Sequence, residues 1–106
     1  MTTDELIDAI DDLRGARTDS LRVEAKRAEH ELPKRLRETL SAFANTRGGG
    51  VIILGLDQAT TFSAVGIKNP GKIMQDLVSL CGEMEPPIRA AIDIHTVENA
   101  TLVVEG

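Results

Sequence analysis

The sequence predicts an α/β domain of the α+β kind: one compact unit in which a mixed sheet of about five strands packs against two main helices, with a short helix ahead of them. Three observations carry this expectation. Leu21-Arg22-Val23-Glu24-Ala25-Lys26 alternates apolar and polar residues with period two, as a strand with one buried face does. Val51-Ile52-Ile53-Leu54 is apolar throughout and too short for a helix, which suits a central strand covered on both sides. Residues 33–45 and 70–81 repeat apolar side chains at helical spacing. The chain of 106 residues is long enough for one core and one domain.

Each element has its own local reason. Leu6, Ile7, Ile10 and Leu13 share a helical face over residues 4–13, with Thr2 or Thr3 as cap and acids in the first turn. The stretch RGARTDS breaks that pattern before the first strand, where Glu24 and Lys26 share one face. Pro33 suits the first turn of a helix running to about Asn45, burying Leu36, Leu40, Phe43 and Ala44 and leaving Lys34, Arg35, Arg37 and Glu38 wet. Asn45 and the glycines at 48–50 supply the left-handed conformations that stop it. Gly55 and Asp57 mark the end of the aliphatic strand, and residues 60–65 return as a hairpin after a turn near Gln58 and Ala59. Asn69-Pro70 opens a second helix that turns Ile73, Met74, Leu77, Leu80 and Cys81 inward and closes at Gly82. After the stiff Pro86-Pro87 spacer, residues 88–97 and 101–104 read as two strands joined around Glu98-Asn99-Ala100. The chain stops straight after an apolar strand, so it is expected to be one domain of a longer protein, with an acidic helix at 1–14 and the domain proper at 15–106.

Composition removes several classes of function. No apolar run approaches the roughly 20 residues that cross a bilayer, and the acidic start is unlike a secretory signal, so a cytoplasmic protein without a membrane partner is expected. The single Cys81 falls among Leu77, Val78 and Leu80 and reads as a small buried hydrophobe. With Phe43 and Phe62 as the only aromatic residues, the chain offers no platform for stacking successive bases. The formal net charge of -5 is unevenly spread. Five acids crowd the first twelve residues, whereas from Arg14 to Arg47 nine bases face five acids. That central basic segment, with Lys26, Arg27, Lys34, Arg35, Arg37 and Arg47, is where phosphates would be met.

The glycines at 48–50 invite a nucleotide-site reading, but their orientation opposes it. They follow a helix C-terminus and lead into a strand, whereas phosphate cradles place glycines between a strand and a helix N-terminus, so ATP is not expected. Asp19, Glu24 and Asp57 form a second candidate set. If the two strands are neighbours, Glu24 and Asp57 converge, and clustered carboxylates are how proteins hold Mg²⁺ or Mn²⁺ for phosphodiester cleavage, unless Lys26 simply neutralises Glu24. His30 and His95 have no partner at zinc-ligand spacing, and His95 is placed on the polar side of its strand. Ser20 and Ser41 lack the glycine pattern of a nucleophile elbow.

DSLRVEAK at 19–26 followed by SAFANTRGGGVIILGLD at 41–57 resembles the Schlafen-type AlbA-like domain. The resemblance runs from about residue 15 to 106 and leaves the acidic helix outside it. It implies a compact α/β domain at the N-terminus of bacterial transcriptional regulators, in proteins often labelled divergent AAA or ATP-binding. It also implies that Asp19, Glu24 and Asp57 match by motif position the three acids of a Schlafen ribonuclease, with Asp19 standing where the family usually has Glu and Ala25 where it usually has Phe. The expected function is therefore nucleic-acid binding, DNA before RNA, through the six bases named above. The alternatives are a metal-dependent endoribonuclease, in which Glu24 and Asp57 hold Mg²⁺ or Mn²⁺, and a module that forms a homodimer without nucleic acid.

Overall fold

The computed structural model describes residues 1–19 and 22–106. Its elements are α1 (Thr3–Ala16), β1 (Val23–Lys26), α2 (Leu36–Ala44), β2 (Val51–Leu54), β3 (Leu56–Asp57), β4 (Ser63–Ala64), α3 (Pro70–Glu83), β5 (Ile92–Val97) and β6 (Ala100–Glu105). A mixed sheet of four strands in the order β1-β2-β6-β5 forms the centre, and β3 and β4 make a separate two-stranded ribbon. β1 runs parallel to β2, with Val23 opposite Val51 and Lys26 opposite Leu54, and β6 lies antiparallel to both β2 and β5.

Period-two alternation splits the core in two. Ile52, Leu54 and Val103 point to the face covered by α2 and α3, where Leu36, Leu40, Ile73, Leu77 and Cys81 meet them. Ile53, Leu102 and Val104 point to the other face, covered by Leu6, Ile10 and Leu13 of α1 and by Phe62. Burying each such side chain stabilises the fold by about 1.5–3 kcal/mol, so α1 is an integral layer. It is also as long as α3, at 14 residues. Its Thr2 cap forms a capping box with Glu5. From its last turn, Arg14 holds both carboxylate oxygens of Glu98 at 2.6 and 3.0 Å and donates to the Phe62 carbonyl.

Several sequence expectations shift in detail. Pro33 does not begin the helix; its carbonyl accepts the Leu36 N–H in a turn, and α2 starts three residues later. Ala44 is exposed, and Asn45 ends α2 at φ -93, leaving the left-handed conformations to Gly48 and Gly49. Gly55, at φ 115, ends the aliphatic strand where expected: its N–H continues the β1 ladder to Lys26, and its carbonyl accepts the N–H groups of Val65 and Gly66. A methyl group there would meet Leu102 at 2.6 Å, so only glycine closes this corner. The β5–β6 connection is tighter than expected, with Glu98 and Asn99 both at positive φ, as a two-residue hairpin turn of type I′ requires. His95 faces α1 rather than a polar surface, and its Nδ1 lies 3.0 Å from the Thr3 hydroxyl.

Candidate nucleic-acid interface

The lysine-bearing strand does lie beside the aliphatic one, and this sets where the acids stand. β1 is an edge strand, so the outward N–H of Ala25 has no strand partner; the Asp19 carboxylate accepts it at 3.2 Å. Burial, then the neighbouring Glu24 charge, push the Asp19 carboxyl up to about 6, against the opposing pull of the Ala25 N–H and Lys26. Lys26 Nζ reaches Glu24 at 3.2 Å across their shared face. Asp57 is placed differently. It sits beyond the C-terminal end of β1, caps the single 3-10 turn Gln58–Thr60 through the Ala59 N–H at 3.1 Å, and feels the charge of Arg27. Asp19 and Glu24 are thus brought together, while the Asp57 carboxylate is engaged by the turn that follows β3. Among the described residues no group of three His, Cys, Asp or Glu side chains is arranged to hold a metal ion.

The six expected phosphate contacts divide into two kinds. Lys26 is paired with Glu24, Arg27 with Glu29, and Arg37 with Glu83 at 3.1 Å. Lys34, Arg35 and Arg47 are exposed and form no ion pair among the described residues. They flank α2: two stand at its start and one just past its end. The turn from Pro33 to Leu36 exposes the first two, because the chain buries Leu36 and leaves the preceding pair outside. Two further arginines join Arg47 at the glycine loop. The Arg22 guanidinium lies against Gly48, and Arg89 lines a cavity of about 300 Å³ with Phe43, Gly48, Gly49, Gly50 and Glu105.

Glu105 was not among the sequence candidates. It is 6% exposed, lies between Ile52 and Ile92 in the sheet, and makes no ion pair among the described residues. Burial raises its carboxyl above the ordinary Glu range. One signal was available: Glu105 stands in phase with Val103, two residues away on the buried side of an apolar strand.

Comparison with known proteins matches this architecture. Residues 19–104 fit the profile of the family described as Schlafen, AlbA_2. The chain belongs to this family. As a Schlafen AlbA_2 domain it superposes on the N-terminal domain of a RecG-related protein from Nitrosomonas europaea, named in relation to an ATP-dependent DNA helicase. The TM-score is 0.77 at 36% identity, covering 92% of this chain and 69% of that one. A crystal structure from Corynebacterium diphtheriae shares the fold alone, with TM-score 0.62 and 15% identity, covering 97% of this chain but 25% of that protein. No curated protein matches the chain. No helix among the described residues is long and apolar enough to cross a membrane.

Proposed function

We infer that this Schlafen AlbA_2 domain is a nucleic-acid-binding module, with DNA as its polymer, in a cytoplasmic transcriptional regulator. One observation carries the reading: Lys34, Arg35 and Arg47 stand exposed along α2, without an ion pair among the described residues, in a chain whose net charge is -5. An acidic protein with carboxylates to spare leaves these three cations unneutralised, and phosphate is the partner that would release their counterions. The family membership and the helicase-related name of the Nitrosomonas relative support the same class of partner. The test is fluorescence anisotropy with duplex DNA at two salt concentrations. Binding should weaken steeply with salt, and the double variant Lys34→Ala/Arg35→Ala should reduce the slope of log K against log salt by about 2. Binding that ignores salt, or none, rejects the reading.

A second reading is favoured by the Asp19–Glu24 pair: a divalent-metal nuclease acting on structured RNA, with Asp57 as the third acid and a second copy completing the groove. Burial and the adjacent Glu24 charge raise the proton affinity of Asp19, a setting that a cation relieves. Cleavage that requires Mn²⁺ and vanishes in Glu24→Ala would establish it, and intact RNA after prolonged incubation would remove it.

A further inference from the structure

The cavity at the glycine loop joins two features that neither reading uses. Its walls are Leu40 and Phe43 of α2, the backbone at residues 48–50, Ile88 and Gly106; Glu105 and Arg89 are its charged side chains. At about 300 Å³ it is at the small end of ligand sites. Glu105 is 6% exposed and has no protein partner among the described residues. Its carboxylate oxygens open to the cavity, where water or a ligand that donates can meet them. Ala44, at the end of α2, also lines the cavity, so the negative end of that helix adds to the same preference for donors.

The rim has the opposite sign. Arg89 is exposed beside the cavity, Arg22 lies against Gly48, and Arg47 immediately precedes the loop. A cationic ligand such as an arginine side chain would suit the floor and be repelled by the rim. The ligand that fits both pairs a hydrogen-bond-donating head with a phosphate. An ionised carboxylate only accepts, so it needs two adjacent donors. Guanine presents N1–H and N2–H side by side on its Watson–Crick edge, while adenine, cytosine and uracil present no two adjacent donors there. Unstacked bases in single strands are recognised on this edge. The loop's shape allows the approach. A methyl group on Gly50 would meet the Phe43 ring at 2.6 Å, whereas one on Gly49 would meet nothing within 4 Å, so the backbone packs the ring on one side and leaves space on the other.

We propose that this cavity takes an unpaired guanine, with the Glu105 carboxylate accepting from N1–H and N2–H and Arg89 meeting the adjoining phosphate. The proposal deepens the nucleic-acid reading and rests on it for the polymer, whose guanine it takes from a single-stranded or flipped-out stretch, since the duplex pairs N1–H and N2–H; the pocket is also testable alone. Guanosine 5′-monophosphate should shift the amide resonances of Gly48, Gly49 and Gly50. Inosine 5′-monophosphate, which lacks the N2 amino group, should bind about tenfold more weakly, and adenosine 5′-monophosphate no better than inosine. Glu105→Gln keeps the size of the side chain and should abolish the guanine-over-inosine difference. The comparison of ligands on the unaltered chain stands even if that variant misfolds. Equal binding of the three nucleotides, shifts confined to other residues, or preferential binding of N-acetylarginine amide at the loop would each overturn the proposal. Oligonucleotides that bind with a salt dependence but without preference for guanine would remove the pocket and leave the phosphate track standing. Guanosine monophosphate binding without oligonucleotide binding would do the reverse.

Discussion

The two ends of the central sheet use the same materials, glycines, branched aliphatics and charged side chains, and leave them in opposite states. At the end where β2 passes into β3, Lys26 is answered by Glu24, Arg27 by Glu29, and Asp57 by the Ala59 N–H. At the glycine-loop end, Glu105 is buried alone and Arg47 has no carboxylate among the described residues. Glu24 and Glu105 make the contrast sharp, because both flank Ile52 in one row of the sheet, about 10 Å apart, and Glu24 alone is drawn along its strand to Lys26 at the other end. The difference lies in what stands two residues along each strand: Lys26 next to Glu24, Val103 next to Glu105. The paired charge holds structure in place, whereas the unpaired one faces the cavity, where a donor can meet it.

The largest effect expected from this comparison concerns the glycines themselves. Gly55→Ala combines a positive φ with a 2.6 Å clash on Leu102, and should cost about 3 kcal/mol in urea unfolding. Gly49→Ala meets open space and bears only the left-handed backbone cost, about 1 kcal/mol. Equal losses at the two sites would mean that the glycine loop is packed as tightly as the strand switch, and would leave no room for a ligand.

Next in size is the stability that Glu105 withholds. Burial raises its folded carboxyl above the unfolded one, so between those two values the folded state binds more protons and stability falls as pH rises. Above both values the penalty is fully present. Glu105→Gln should therefore stabilise the domain by about 1 kcal/mol at pH 7, once partial solvation through the cavity is allowed for, and the gain should disappear below about pH 4. Thermal unfolding at both pH values checks this. A variant less stable than the parent at pH 7 would show that the carboxylate already has a stabilising partner.

One end of the sheet is more legible in the sequence than the other. Alternation at residues 21–26 and the apolar run at 51–54 place β1 and β2, and helical spacing places α1 and α3, because these patterns depend on neighbours within one element. The Lys26–Glu24 pair is legible for the same reason, lying two residues apart on one face. Arg37 with Glu83 is not, since 46 residues separate them and only the packing of α2 beside α3 brings them together. Glu105 escapes because the apolar run of β6 ends at Val104, one residue short of it, although period-two alternation sets it on the same side as Val103. Its isolation depends on β6 lying between β2 and β5, which no local pattern encodes. Pro33 misleads by its helix-starting preference, which is overridden by the burial of Leu36.

The smallest expected effects separate a paired cation from an unpaired one. Arg37 and Arg47 stand near opposite ends of α2, and the sequence alone offers both to phosphate. Arg37 is held by Glu83 in an exposed ion pair, so Arg37→Ala should cost no more than about 0.5 kcal/mol and leave the salt slope of DNA binding unchanged. Arg47→Ala breaks no ion pair among the described residues, should leave stability within about 0.5 kcal/mol, and should lower the salt slope by about 1. Anisotropy titrations of both variants across the same salt range compare them directly. If Arg37→Ala lowers the slope as much as Arg47→Ala, then pairing with a carboxylate does not silence a surface cation here, because phosphate displaces Glu83 at little cost. The paired end of the sheet would then be as available to nucleic acid as the unpaired one, and the contrast between the two ends would be confined to Glu105.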